Sequence, residues 1–172
     1  GDVYKRQEEK AVKAVQTHGM KIKGKEKNAQ IDEAYLLLGK ARYFSGRFIP
    51  ALEAFNYILF KYPGSSNINS AKIWRAKANL RLENETIAKD NLNALLLKKD
   101  LSDDNKVEAY ATLAQLYINL EEFDMAVLNL ENAANITKDK AFKGRLHFIK
   151  GQLHNAQGQK QSAMQAFQRV IE

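Results

Sequence analysis

Residues 34–63 read "AYLLLGKARYFSGRFIPALEAFNYILFKYP". Two apolar stripes at helical spacing flank the short turn "FSGRF" (44–48), and Tyr62-Pro63 stops the second stripe. That is the pattern of a helix hairpin. Gly39 lies in the middle of the first helix and Ala51 in the second, with bulky Phe55 one turn beyond Ala51. Two helices approach closely only where small side chains let their backbones near, and a bulky side chain one turn on fills the groove that results.

The same set returns downstream. The first small residue recurs as Gly39, Ala76, Ala114 and Gly151, the second as Ala51, Ala88, Ala126 and Ala163, and the bulky one as Phe55, Leu92, Leu130 and Phe167. Each row advances by 37, 38 and 37 residues. Three rows with one spacing mark an internal repeat, the signature of stacked supersecondary units. Within the pairs lie the turns "FSGRF", "LENET", "NLEEF" and "AQGQK", in which Gly46 and Gly158 suit a left-handed helix end. Between pairs lie cap signals: Ser65, Ser66 or Asn67, then Ser102 or Asp103, then Thr137 or Asp139. Pro50 falls in the first turn of its helix, where its missing N–H is tolerated.

The spacing predicts helices near 29–45, 48–61, 67–82, 85–98, 104–119, 122–136, 140–157 and 160–172, so that the chain stops in mid-helix. One more is expected near 8–22, with the stripe Val12, Val15, Gly19 and Ile22. Ala14 lies 37 residues before Ala51, so this helix reads as the second of an earlier repeat whose first helix is missing. The expected fold is all-α, an α-solenoid of antiparallel hairpins with about nine helices. Its expected parts are an orphan helix and basic loop over 8–28 and four hairpins at about 29–65, 66–102, 103–138 and 139–172.

Composition narrows the function. Hydrophobic residues make up 45% of the 172 and charged residues 27%, which is an ordered chain's composition. The absence of Cys removes disulfide frameworks, thiolate zinc sites and cysteine nucleophiles. No apolar run approaches the roughly 18 residues of a membrane helix. The formal charge is +7, with Lys21, Lys23, Lys25 and Lys27 clustered in "KIKGKEK". That run reads either as a solvated loop or as an anion-binding patch, and no aromatics are interleaved as a base-stacking surface would require. His147 and His154 lie about 10 Å apart on one helix, too far to share a metal, and His18 stands alone. No phosphate loop and no nucleophile–base set is present, so the expectation is a non-catalytic chain with no metal, cofactor or small-molecule substrate.

These residues resemble the tetratricopeptide repeat (TPR). Tyr35, Leu38, Gly39, Tyr43, Ala51, Phe55 and Pro63 match its pattern, although the period of 37–38 exceeds the usual 34 or so, and only the first repeat has the Pro. The run "KGKEKNAQIDEAYLLLGKARYFSGRFIPALEAFNYILFKYP", with "TLAQLYINLEE" and "GQLHNAQGQKQSA", is also similar to the TPR region of a Bacteroidetes lipoprotein family, PorW/SprE-like, of gliding motility and type IX secretion. That resemblance implies an outer-membrane lipoprotein scaffold facing the periplasm, touching the membrane only through a lipid anchor outside this segment. Outer-membrane assembly and cell-division TPR proteins share the same wording.

The TPR resemblance also implies a concave groove lined by the first helices, open to a protein or peptide ligand. The row after the small residue is Lys40, Lys77, Gln115 and Gln152, and the row three later is Tyr43, Leu80, Ile118 and Asn155. The row three before the small residue is Leu36, Ile73, Ala111 and Phe148, to be divided between groove and core. The Lys/Asn set that clamps a C-terminal carboxylate in co-chaperone TPRs is not matched, because Leu36 and Ile73 stand where a cation is wanted. Trp74 is expected to pack between helices. The competing reading is an anion-binding module for nucleic acid or a membrane surface, motivated by the charge.

The chain opens "GDVYKRQ", which carries no helical stripe. "DVYKRQ" resembles a translated adapter, the transposase end used in sequencing-library preparation. Residues 1–7 are therefore expected to be foreign, and the rest a fragment of a longer protein.

Overall fold

The computed structural model describes residues 2–21 and 31–172, with side chains from 2–15 and 31–172. Ile22, Lys23, Lys25 and Lys27 lie outside the described residues, as do the side chains of His18 and Lys21. Among the described residues there are nine helices and no strand. They are α1 (Asp2–Lys21), α2 (Ile31–Phe44), α3 (Phe48–Lys61), α4 (Ile68–Arg81), α5 (Glu85–Leu96), α6 (Asp103–Asn119), α7 (Phe123–Ile136), α8 (Lys140–Ala156) and α9 (Lys160–Gln168). Helix α1 begins at Asp2 and not near Glu8, and α9 ends at Gln168, four residues short of the last. The chain forms two compact units, Gly1–Asn91 and Leu92–Glu172.

The caps follow the side-chain chemistry. Ser102 starts α6 by accepting from the Asn105 N–H at 3.2 Å, and Asp139 starts α8 by accepting from the Phe142 N–H at 3.0 Å. Asn67 precedes α4 without a capping bond of its own; its amide instead donates to Asp32 at 3.4 Å. The Ser65 hydroxyl donates to the same carboxylate, tying the α3–α4 loop to the start of α2.

The four intra-hairpin turns are one motif repeated. Gly46, Glu83, Glu121 and Gly158 all have positive φ, at 77°, 61°, 58° and 74°. Each donates its N–H three residues back, and the next residue donates five back: Arg47 to Arg42, Asn84 to Asn79, Glu122 to Tyr117 and Gln159 to His154, all at 2.9 Å. This is the Schellman arrangement, which satisfies carbonyls left over at a helix end. It recurs at the period of the small residues. Two of the four positions carry glutamate, which accepts the left-handed conformation at a cost of about 1 kcal/mol that glycine avoids.

In the first unit α2 packs on α1 and α3, and α4 on α3 and α2. Leu36, Ala51, Phe55, Ile58, Ala71 and Ala78 form one buried cluster, with Trp74 and Tyr43 packed against it. The Phe55 ring is fully buried, and a Cβ added to Gly39 would lie 2.3 Å from it. Helix α1 joins through Ala11, buried with Leu38 and Ala54. Ala14, the alanine in repeat register, is instead exposed. Near the start of α1, Tyr4 stacks on Phe44 at 5.2 Å, and Glu8 pairs with Arg42 and Arg47.

In the second unit α7 packs on α6 and α8, and α8 on α9. Ala114 and Leu130 are buried in the first of these hairpins. In the last, a Cβ on Gly151 would lie 2.4 Å from the Phe167 ring. The close approaches therefore keep a constant volume: glycine faces phenylalanine, and alanine is matched with leucine in the same register.

Candidate functional site

Helix α4, "INSAKIWRAKANLR", carries Lys72, Arg75, Lys77 and Arg81 and no carboxylate. Helix α2 beyond its first-turn Asp32 and Glu33 carries Lys40 and Arg42 and again no carboxylate. The two helices pack on each other, and Lys40 of α2 meets Lys77 and Arg81 of α4 on one face, although the sequence sets Lys40 and Lys77 37 residues apart. Trp74 stands between them, half-buried, its ring edge-on to Tyr43 at 5.3 Å and Phe44 at 5.5 Å and tilted against Phe55 at 6.3 Å. The Lys77 Nζ lies 4.5 Å from the Trp74 ring centre and the Lys40 Nζ 5.3 Å. Arg81 sits over Phe48 at 4.6 Å and Tyr43 at 6.0 Å. A cation over a ring face gains about 0.5–1 kcal/mol when exposed. The rings thus fix the heads of three long side chains that would otherwise sweep solvent.

The other expected groove residues divide. Leu80 is 6% exposed and belongs to the packing, as do Leu36 and Ile73. In the second unit Gln115 is exposed and donates to Asn119 at 2.9 Å, Ile118 is half-buried, and Gln152 and Asn155 are exposed. Phe148, in the row with Leu36 and Ile73, is 47% exposed and rests against Phe167 at 5.7 Å. The first unit therefore presents cations on aromatic rings, and the second neutral amides beside an exposed ring. Trp74 packs between helices as expected and also seats both lysines. Arg81 was outside the expected set; its available signal was that α4 has four cations and no acid.

Away from this face, the second unit buries charge. Lys150 donates to Glu131 at 2.7 Å, and its side chain is 10% exposed. That hydrogen bond holds the Glu131 carboxyl below its ordinary value. His147, one turn earlier on α8, is 4% exposed, with Nδ1 unpartnered. Burial pushes its pKa down, and Lys150, Arg169 and Lys143 push it further while Glu131 opposes them. His154 meets Gln159 through Nδ1 at 2.6 Å. Nothing in this arrangement pairs a nucleophile with a base.

The sequence model of a family described as a tetratricopeptide repeat-like domain matches residues 50–172. Among curated proteins none matches the chain. Solved structures do. A crystal structure of MamA is 21% identical, with a TM-score of 0.69 over 97% of this chain and 90% of its own. BtubC from P. vanneervenii is 18% identical, with a TM-score of 0.77 over 99% of this chain and 72% of its own. A thermophilic TPR protein of Thermus thermophilus is 22% identical, with a TM-score of 0.59 over 81% of this chain and 73% of its own. At these identities the likeness speaks for the fold alone.

Proposed function

The chain belongs to the tetratricopeptide repeat-like family, and from that premise we propose that it is a non-catalytic scaffold that holds a protein partner along the first helices of its hairpins. TPR proteins generally bind protein partners, which supports the class of function. The observation that carries the particular surface is the recurrence of solvent-reaching side chains one residue after each small residue: Lys40 and Lys77 half-buried, Gln115 and Gln152 exposed. Tyr43, Ile118 and Asn155 extend the same helix faces.

Photo-crosslinking tests this. A crosslinking amino acid is placed at Gln115 or Gln152, and in a second set at Glu53 or Asp90 on the second helices. The tagged chain is expressed in its native cells. Protein adducts from the first set and not the second are expected. Adducts confined to the second set, or none from either, would remove the reading.

A finer reading follows the likeness of residues 23–63 to the PorW/SprE-like family: a periplasm-facing lipoprotein scaffold of type IX secretion and gliding motility. It rests on that likeness of wording. Fractionation of the native cells checks it; recovery of the chain in the cytosol would dismiss it.

A further inference from the structure

We propose that the α2–α4 face of the first unit takes an internal acidic segment of a partner protein, its carboxylates meeting Lys40, Lys77 and Arg81 and its apolar side chains lying against Trp74 and Phe44. This rests on the scaffold reading above and adds the partner's chemistry.

Three observations carry it. Charge comes first: Lys40, Lys77 and Arg81 gather at the Trp74, Tyr43 and Phe48 rings, and neither α4 nor α2 beyond Glu33 carries a carboxylate. Complementarity selects a polyanionic occupant. Pre-positioning comes second. The aromatic platform holds Lys40, Lys77 and Arg81 in place, so an anion that binds them spends little side-chain entropy. A ring fixes a cation without cancelling its charge, and a carboxylate can bind the far side of an ammonium that a ring already holds.

The third observation separates a peptide from a nucleic acid. Base stacking needs an open ring face. Here Trp74 has two lysines over it and Phe55 behind, and Tyr43 has Arg81 over it. The apolar ground left to a ligand is ring edges and Phe44, which is 48% exposed. That suits aliphatic side chains interleaved with acids. An internal segment is favoured over a chain terminus because Leu36 and Ile73, which the TPR resemblance matches to carboxylate-gripping cations, are apolar and buried at 7% and 2%.

Trp74 is the only tryptophan in the chain, so its emission reports on this face. The probe is a fluorescein-labelled dodecapeptide of Asp, Glu and Leu with an amidated C-terminus, titrated at low salt while anisotropy and Trp74 emission are followed. Binding with a change in Trp74 emission is expected. Lys40→Ala with Lys77→Ala should weaken it by about tenfold or more, equal to about 1.4 kcal/mol. Arg81→Ala, at an exposed position, should weaken it by a smaller factor. Lys138→Ala with Lys140→Ala in the second unit should leave it unchanged. Far-UV circular dichroism checks that each variant is folded.

The proposal is overturned if the peptide fails to bind. It is equally overturned if the second-unit lysines matter as much, or if only a peptide with a free C-terminal carboxylate binds. Equal affinity for a dodecathymidylate or for phosphatidylserine vesicles would make this a general anion surface and defeat it too. Crosslinks at Gln115 or Gln152 without peptide binding would leave the scaffold reading standing and this inference fallen; the absence of such crosslinks strikes the scaffold reading itself.

Discussion

The first hairpin of one unit, α2–α3, and the last hairpin of the other, α8–α9, share one lock and differ in what surrounds it. Both place glycine against phenylalanine, Gly39 on Phe55 and Gly151 on Phe167. One residue before the glycine, α2 carries Leu38 and α8 carries Lys150. Leu38 is packed with Ala11 and Ala54, whereas Lys150 reaches across to Glu131 on α7. Four residues before the glycine, α2 carries Tyr35 and α8 carries His147. The backbone solution is therefore set by volume at one position. The neighbouring position can be oily or ionic: Leu38 packs on alanines, and the Lys150 ammonium is met by Glu131.

The largest effect should come from breaking the lock that both hairpins share. Gly39→Ala and Gly151→Ala each drive a methyl group into a ring and should cost about 1–3 kcal/mol as overpacking, even after the better helix propensity of alanine is counted. Adding Phe55→Leu to Gly39→Ala rebuilds the alanine–leucine combination of Ala114 and Leu130. It should recover much of the loss. Urea unfolding followed by circular dichroism measures the coupling in a double-mutant cycle. Strict additivity of the two changes would show that the pair does not share one volume.

Next comes the difference at the neighbouring position. Glu131→Ala leaves the Lys150 ammonium buried without its acceptor and should destabilise by about 1–2 kcal/mol, less than a fully buried pair because Glu131 is 45% exposed. Lys150→Leu in that background restores the Leu38 arrangement and should return the Tm to the parent value or above it. A Tm that stays low would mean that the α8 position cannot accept an apolar side chain.

The turns separate the outer hairpins from the inner ones. Glu83→Gly and Glu121→Gly should each raise stability by about 0.5–1 kcal/mol, since both residues hold positive φ that glycine adopts freely. Gly46→Ala should lower it by a similar amount, although nothing lies within 4 Å of the new methyl. Thermal melts read both signs.

The smallest effect is a pH dependence of the second unit set by His147. The folded-state pKa of His147 is lowered, so the folded state prefers the neutral imidazole. Its contribution is whole above the unfolded value of about 6.5 and is lost as pH falls through that value toward the lower folded one. Glu131, also lowered, gives way only in the carboxylate range as pH falls further. Hydrogen exchange at pH 7 and pH 5.5 should show α8 loosening before α2, and His147→Gln should abolish the difference.

Much of this was legible in the residue string. The 37–38 spacing placed every helix from α2 to α8 within two residues of its bounds, because a repeat states the same packing requirement several times over. The glycine–phenylalanine lock was legible for the same reason. Turn conformation was legible only where glycine announced it. Glu83 and Glu121 take the same conformation because the Schellman bonds on either side impose it. The register of α1 was misread: Ala14 matched the spacing, but Ala11 fills the close approach, since one isolated helix carries no second copy to check against. Of the groove rows, Lys40, Tyr43 and Lys77 lie at a shared surface, whereas Leu80 is absorbed by the core.

By itself, then, the sequence determined the period, the all-helical hairpins and the volumes at the close approaches, since all of these are local patterns repeated along the chain. Tertiary structure alone decided which cations meet over Trp74, that Arg81 joins them, and that Lys150 finds Glu131. Such pairings depend on distances between helices many residues apart, and no spacing along the chain encodes the direction in which a long side chain turns.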